Sequence, residues 1–105
     1  MLLATTFNIP GRDISKTLGL VKGNTIRARH VGKDIMAGLR GLVGGELHEY
    51  TKLLAESREQ AIDRMIEDAR LLGANAIVGV SFTTSVMAQG SAELMAFGTA
   101  VILEE

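Results

Sequence analysis

His48 stands between two glutamates in Glu46-Leu47-His48-Glu49-Tyr50, immediately after a diglycine, Gly44-Gly45, and a short way beyond Arg40. Imidazole and carboxylates are ligands for a divalent cation. Glycines ahead of a helix could instead offer backbone N–H groups to an anion. The metal reading is weak on spacing: in a helix Glu46, His48 and Glu49 fall within one turn, and His48 has Lys52, a repelling cation, at i+4. A glutamate-rich helix start favoured by the helix dipole accounts for the same residues with no ligand. Glu46, His48 and Glu49 therefore stand as weak metal candidates, and Arg40, Gly44, Gly45 and Tyr50 as weak candidates for another ligand.

Neither nucleotide-binding glycine pattern is present, because no G-x-x-x-x-G-K-[ST] and no G-x-G-x-x-G follows a strand. Gly38, Gly41 and Gly45 recur three and four apart, which suits close packing of a helix face, with a hinge at Gly44-Gly45 or an anion site as alternatives. His30 belongs to a local basic run with Lys22, Arg27, Arg29 and Lys33. Such a run reads as a solvated strand edge or an intersubunit ion-pair surface ahead of an anionic-ligand site. The hydroxyls of Ser81-Phe82-Thr83-Thr84-Ser85 have no histidine beside them in sequence to act as a base. The five methionines are scattered through apolar patterns, as core packing requires.

A chain of 105 residues makes one domain, residues 1–105, with a marginal core that makes partner subunits an expectation. Only four residues are aromatic and none is Trp, so the core must be aliphatic. A formal charge of −1 gives no global attraction for nucleic acid or an anionic membrane surface. The absence of cysteine excludes disulfides, thiolate catalysis and cysteine-ligated metal centres. No stretch is long and apolar enough for a membrane span, and the first residues lack the basic start of a signal peptide, so a cytoplasmic protein is expected.

Several elements must position these residues. LLATTF (2–7) reads as a short strand closed by a turn at Pro10-Gly11, and 14–31 as one bent strand or two short ones, with the bend near Lys22-Gly23-Asn24. Asp34 caps a short helix ending at Gly44-Gly45. Residues 46–73 carry Leu47, Tyr50, Leu54, Ala61, Met65, Ala69 and Leu72 at helical spacing, stop at Gly73, and place Arg64 and Asp68 as a surface ion pair. A strand at 74–87 puts Val78, Val80, Phe82 and Val86 on one face and Gly79, Ser81, Thr83 and Ser85 on the other. The last strand, 93–103, is apolar in both phases, and one helical layer covers one side, so its second cover is expected from another subunit.

The run DIMAGLRGLVGG, then Glu49 and Tyr50, then ARLLGANAIVGV and finally AELMAFGTAVIL, resembles the YbjQ-like family of small bacterial and archaeal proteins, whose label associates them with heavy metals. The resemblance spans nearly the whole chain and is most specific at R-x-x-V-G-G, A-x-x-L-G-A-N-A-I-V-G-V and G-T-A-V. It implies an α+β fold, an antiparallel sheet backed by one long helix plus a short helix, of dodecin-subunit-like type, assembled as a ring-shaped pentamer able to pair into larger assemblies. Two departures bear on function. Relatives commonly carry a pattern such as D-I-D-Y-E where this chain has Ser81-Phe82-Thr83-Thr84-Ser85, and R-S-G-A-Y where it has Glu46-Leu47-His48-Glu49-Tyr50. The first removes carboxylates from the strand, and the second exchanges a cation for two acids and a histidine.

The resulting expectation is a homo-oligomeric binding or scaffold protein with no cofactor other than a possible divalent metal, its partner being itself. The alternatives are a metal site shared between subunits, and an enzyme whose intersubunit site draws on Arg40, His48, Glu49 and Tyr50.

Overall fold

The computed structural model describes residues 1–27, 46–86 and 92–105. Strands β1 (Leu2–Leu3), β2 (Ile14–Arg27), β3 (Ala76–Val86) and β4 (Ala92–Leu103) form one sheet in the order β1-β3-β4-β2, and helix α1 (Glu46–Leu71) packs on it. The fold is α+β as expected. Its sheet is antiparallel except at β1, which runs parallel to β3. The short helix expected over 34–45 lies outside the described residues.

The helix ends where Gly73 allows it. Gly73 adopts a φ of 83°, its N–H donates to the Arg70 carbonyl, and the N–H of Ala74 donates to the Ala69 carbonyl. This is the paired 5→2 and 6→1 closure of a left-handed helix cap. Ala61, Met65 and Ala69 of α1 are fully buried against Val21, Ile77, Ala96 and Ala100 of the sheet. Leu54 and Leu72, expected in the same stripe, are nearly half exposed.

Residues 22–24 make no bend. Strand β2 is continuous, with irregularities nearer its start, between Ile14 and Lys16 and between Thr17 and Gly19. Gly23 is there because α1 crosses directly over it: a Cβ would lie 2.1 Å from the Ala61 carbonyl oxygen and 2.4 Å from the Met65 nitrogen.

The alternation expected along β3 also breaks. A bulge between Val78 and Ser81 contains Gly79 at φ 62°, and an extra residue in one strand reverses the faces beyond it. Val78 therefore packs with Ala76, Val101 and Leu103 away from the helix, whereas Val80 packs with the helix-side core.

Strand β4 is covered on both faces at its C-terminal end, but the second cover comes from the chain itself. Ile9 and Ile14 pack on Ala76, Val78, Val101 and Leu103. The turn carrying Ile9 is pinned to the last residues by Arg12 Nε donating to the Glu104 carbonyl at 3.0 Å and by the Glu104 N–H donating to the Asp13 carbonyl at 2.8 Å. Among the described residues this cover does not reach the start of β4. There Met95 and Phe97 are half-buried, and Leu20, paired with Thr99 on the same face, is 70% exposed.

Candidate functional site

Glu46, His48, Glu49 and Tyr50 occupy the first turns of α1. At 100° per residue, 46, 49 and 50 fall along one strip of that helix and 48 lies across from 46, so helical backbone does not by itself gather Glu46 and His48 around one ion. Arg40, Gly44 and Gly45 lie outside the described residues, as do His30, Arg29 and Lys33 of the basic run. Among the described residues no group of three His, Asp or Glu side chains is placed to hold a metal ion. No helix among them is long and apolar enough to cross a membrane.

Several polar contacts among the described residues lie where α1 passes the outer edge of β2. Asp68 accepts the Lys22 N–H at 3.1 Å, and the Arg64 guanidinium donates to the Asn24 carbonyl. Arg64 and Asp68 thus do not serve as a surface ion pair with each other. Each closes one outward backbone group of the edge strand, and the ion pair on this part of the helix is Arg70 with Glu67, at 2.8 Å. About two turns before Arg64 the Thr25 hydroxyl donates to the Ser57 carbonyl at 3.1 Å, with both residues buried. Lys22, Gly23, Asn24, Arg64, Glu67, Asp68 and Leu71 line an open groove of about 520 Å³ along this seam. Arg64 and Asp68 are committed there to backbone groups, so the groove holds an edge closed.

The sheet face turned away from the helix is organised in rungs. Ser81, Phe97 and Lys22 align across β3, β4 and β2, and Thr83, Met95 and Asn24 form the next rung. Asn24 Nδ2 donates to a Glu93 carboxylate oxygen at 3.1 Å on this face. Sequence reasoning found the alternating hydroxyls of β3 but missed this platform, because its register depends on the bulge at Gly79. It also missed Phe7, which is 78% exposed and whose ring stands where a Cβ on Gly79 would meet it at 2.8 Å.

Comparison with known proteins agrees with the motifs. A family model described as "Putative heavy-metal-binding" matches residues 1–104. A UPF0145 protein of Methanosarcina acetivorans is 58% identical over 101 residues, covering 96% of this chain and 95% of the relative. A UPF0145 protein of Dehalococcoides mccartyi is 58% identical over 104 residues, covering 99% and 100%, and one of Archaeoglobus fulgidus is 53% identical over 103 residues, covering 98% and 95%. A crystal structure of a protein of unknown function from Pediococcus pentosaceus, assigned to the DUF74 family, superposes with a TM-score of 0.66 at 16% identity over 99% of this chain and 98% of that one, a likeness of fold. With the family model matched almost end to end and relatives above half identity across the same span, the chain belongs to the YbjQ-like, UPF0145 family.

Proposed function

We propose that this protein works as a homo-oligomeric binding or scaffold subunit, built into a ring of five or a multiple of five, with a copy of itself as its principal partner. The observation that carries this reading is the open sheet face. Among the described residues one helix covers one side of β4 and the N-terminal turn covers the far end of the other side, while on that side Leu20 is exposed and Met95 and Phe97 are only half-buried. The shape supports it: a radius of gyration of 16.8 Å, with extents of 52 × 25 × 16 Å, exceeds the roughly 13 Å of a compact chain of this length. The ring number comes from the family resemblance. Light scattering on purified protein tests the reading, with a mass of five chains or a multiple expected at micromolar concentration. A monomer would overturn it.

A second reading is favoured by the family's own description. Divalent metal would be held by His48, Glu46 and Glu49 brought together from several subunits around a symmetry axis, a reading supported by their unfavourable spacing along one helix. Such a site would take well under one metal per chain. Arg40, Gly44, Gly45 and Tyr50 remain the residues nearest in sequence to it and the candidates for any non-metal ligand.

A further inference from the structure

The two long edges of the sheet are treated differently. Along β2 the outward N–H of Lys22 and the outward carbonyl of Asn24 are taken by Asp68 and Arg64. On the opposite edge, β1 and the residues after it cover β3 only as far as Val80, whose N–H donates to the Ala4 carbonyl at 3.0 Å. Beyond that point Ser81–Ser85 is exposed at every position, and no chain pairs with its outer side among the described residues. The stretch has no charge and no proline, the usual devices that blunt a free edge.

The direction of its backbone groups follows from its neighbours. Val80 faces outward to Ala4, so alternation turns Ser81, Thr83 and Ser85 toward β4 and leaves the N–H and carbonyl groups of Phe82 and Thr84 outward. The β2 edge gives the same parity independently: the outward groups there belong to Lys22 and Asn24, whose rungs through β4 reach Ser81 and Thr83. For side chains, Ser81, Thr83 and Ser85 share the face away from the helix with Phe97, Met95 and Glu93, and Phe82 pairs with Ala96 on the helix side.

We propose that the Ser81–Ser85 edge of β3 docks antiparallel against the same edge of a second copy, about a two-fold axis at Thr83. The partner is read from the edge's own chemistry, which complements itself. With Thr83 opposite Thr83 of the partner subunit, Ser81 meets Ser85 of the partner subunit, so hydroxyls face hydroxyls along one side with no like charges opposed. Phe82 then lies opposite Thr84 of the partner subunit, and these are the residues whose backbone groups point outward, so one closed pair of backbone hydrogen bonds forms on each side of the axis. Ala4 on Val80 ends the free edge, which limits the contact to five residues from each copy. The contact is isologous, so it closes on itself and adds two-fold pairing to a ring; it does not rest on the ring.

The chain has no cysteine, which makes the geometry directly testable. Residues opposite at a non-hydrogen-bonded antiparallel position lie about 4.5 Å apart at Cα, within disulfide reach. Thr83→Cys should therefore form a covalent dimer when oxidised with copper–phenanthroline and run on a non-reducing gel. Ser81→Cys should not, since its two copies would sit about 13 Å apart along the strands. No dimer from Thr83→Cys, or equal dimer from both variants, overturns the proposal. Thr83→Lys places two ammonium groups at the axis and should halve the light-scattering mass with an unchanged far-UV circular dichroism spectrum. A full mass in that folded variant also overturns it. A ring of five in wild-type protein without the Thr83→Cys dimer sinks this edge contact and leaves the ring standing. The dimer with a wild-type mass that is no multiple of five sinks the ring and supports the edge contact.

Discussion

Gly23 is the residue at which the helix and the sheet come closest. Its absent side chain, rather than any backbone conformation, is what the fold uses, because a methyl group there would overlap the Ala61 carbonyl and the Met65 nitrogen. Both are backbone atoms of a regular helix and cannot move without shifting α1. Gly23→Ala is expected to destabilise the fold by about 2–4 kcal/mol, in the range of overpacking forced on a rigid neighbour. Urea unfolding of the two proteins at equal concentration measures it, and a change under 1 kcal/mol would show that the helix rides higher than described. Asn75 has the opposite character, since its side chain imitates a strand. Its amide donates to the Leu103 carbonyl at 3.0 Å and accepts the Leu103 N–H at 2.7 Å. Asn75→Ala should cost about 1–3 kcal/mol for two unmade hydrogen bonds. Asn75→Asp keeps the acceptor alone and should fall between the two.

At the scale of elements, the helix both fills the core and guards the β2 edge. Arg64 and Asp68 are exposed enough that their hydrogen bonds add little to stability. Their effect lies in occupying groups that would otherwise template another strand. The double variant Arg64→Ala, Asp68→Ala is expected to change the urea midpoint by less than about 1 kcal/mol while raising the rate of turbidity growth on mild heating several-fold. Unchanged aggregation would mean that the edge is protected by its own side chains. The β3 bulge is a second element-scale device. It turns Val78 toward the N-terminal turn and Val80 toward the helix, so one strand serves two cores. Gly79→Val would have to hold a β-branched residue at φ 62° and displace the Phe7 ring, and should cost about 2 kcal/mol or more.

For the whole molecule, two substitutions on one strand separate folding from assembly. Ala96 is fully buried in the helix-side core, and Ala96→Asp should abolish folding because an unpaired buried carboxylate costs several kcal/mol. Phe97 lies one residue along on the open face, across from Lys22, where a carboxylate can be solvated and paired. Phe97→Asp should therefore keep a native circular dichroism spectrum and lose the assembly. Native mass in both variants would show that neither face of β4 is buried. The metal reading belongs to this scale as well, since a site needs about four ligands at roughly 2.0–2.3 Å and one chain offers two histidines and no cysteine. Calorimetry with Zn²⁺, Ni²⁺ and Cu²⁺ on tag-free protein is expected to show weak binding or well under one metal per chain. Submicromolar binding at one per chain, lost in His48→Ala, would make residues 46–50 a site complete within the subunit.

The periodicities that the sequence carried openly were the ones with long runs behind them. Ala61, Met65 and Ala69 announced the long helix, Gly73 its end, and the apolar 93–103 a strand, because local preference and burial repeat there at a fixed interval. The family was legible in three motifs, and the departures at Ser81–Ser85 and Glu46–Tyr50 could be read beside it. Other features depended on where distant segments meet. Gly23 resembled a bend until the helix was seen to cross it, Arg64 and Asp68 looked like each other's partners until β2 came between, and Val78 left the expected face because one extra residue at Gly79 reverses every side chain beyond it. Nor could composition say that Ile9 and Ile14 would cover the far end of β4, a contact between chain ends nearly a hundred residues apart. Spacing along a chain reports which faces are apolar; which surface meets which is decided by register, crossing and closure, and those are set only when the whole chain has folded.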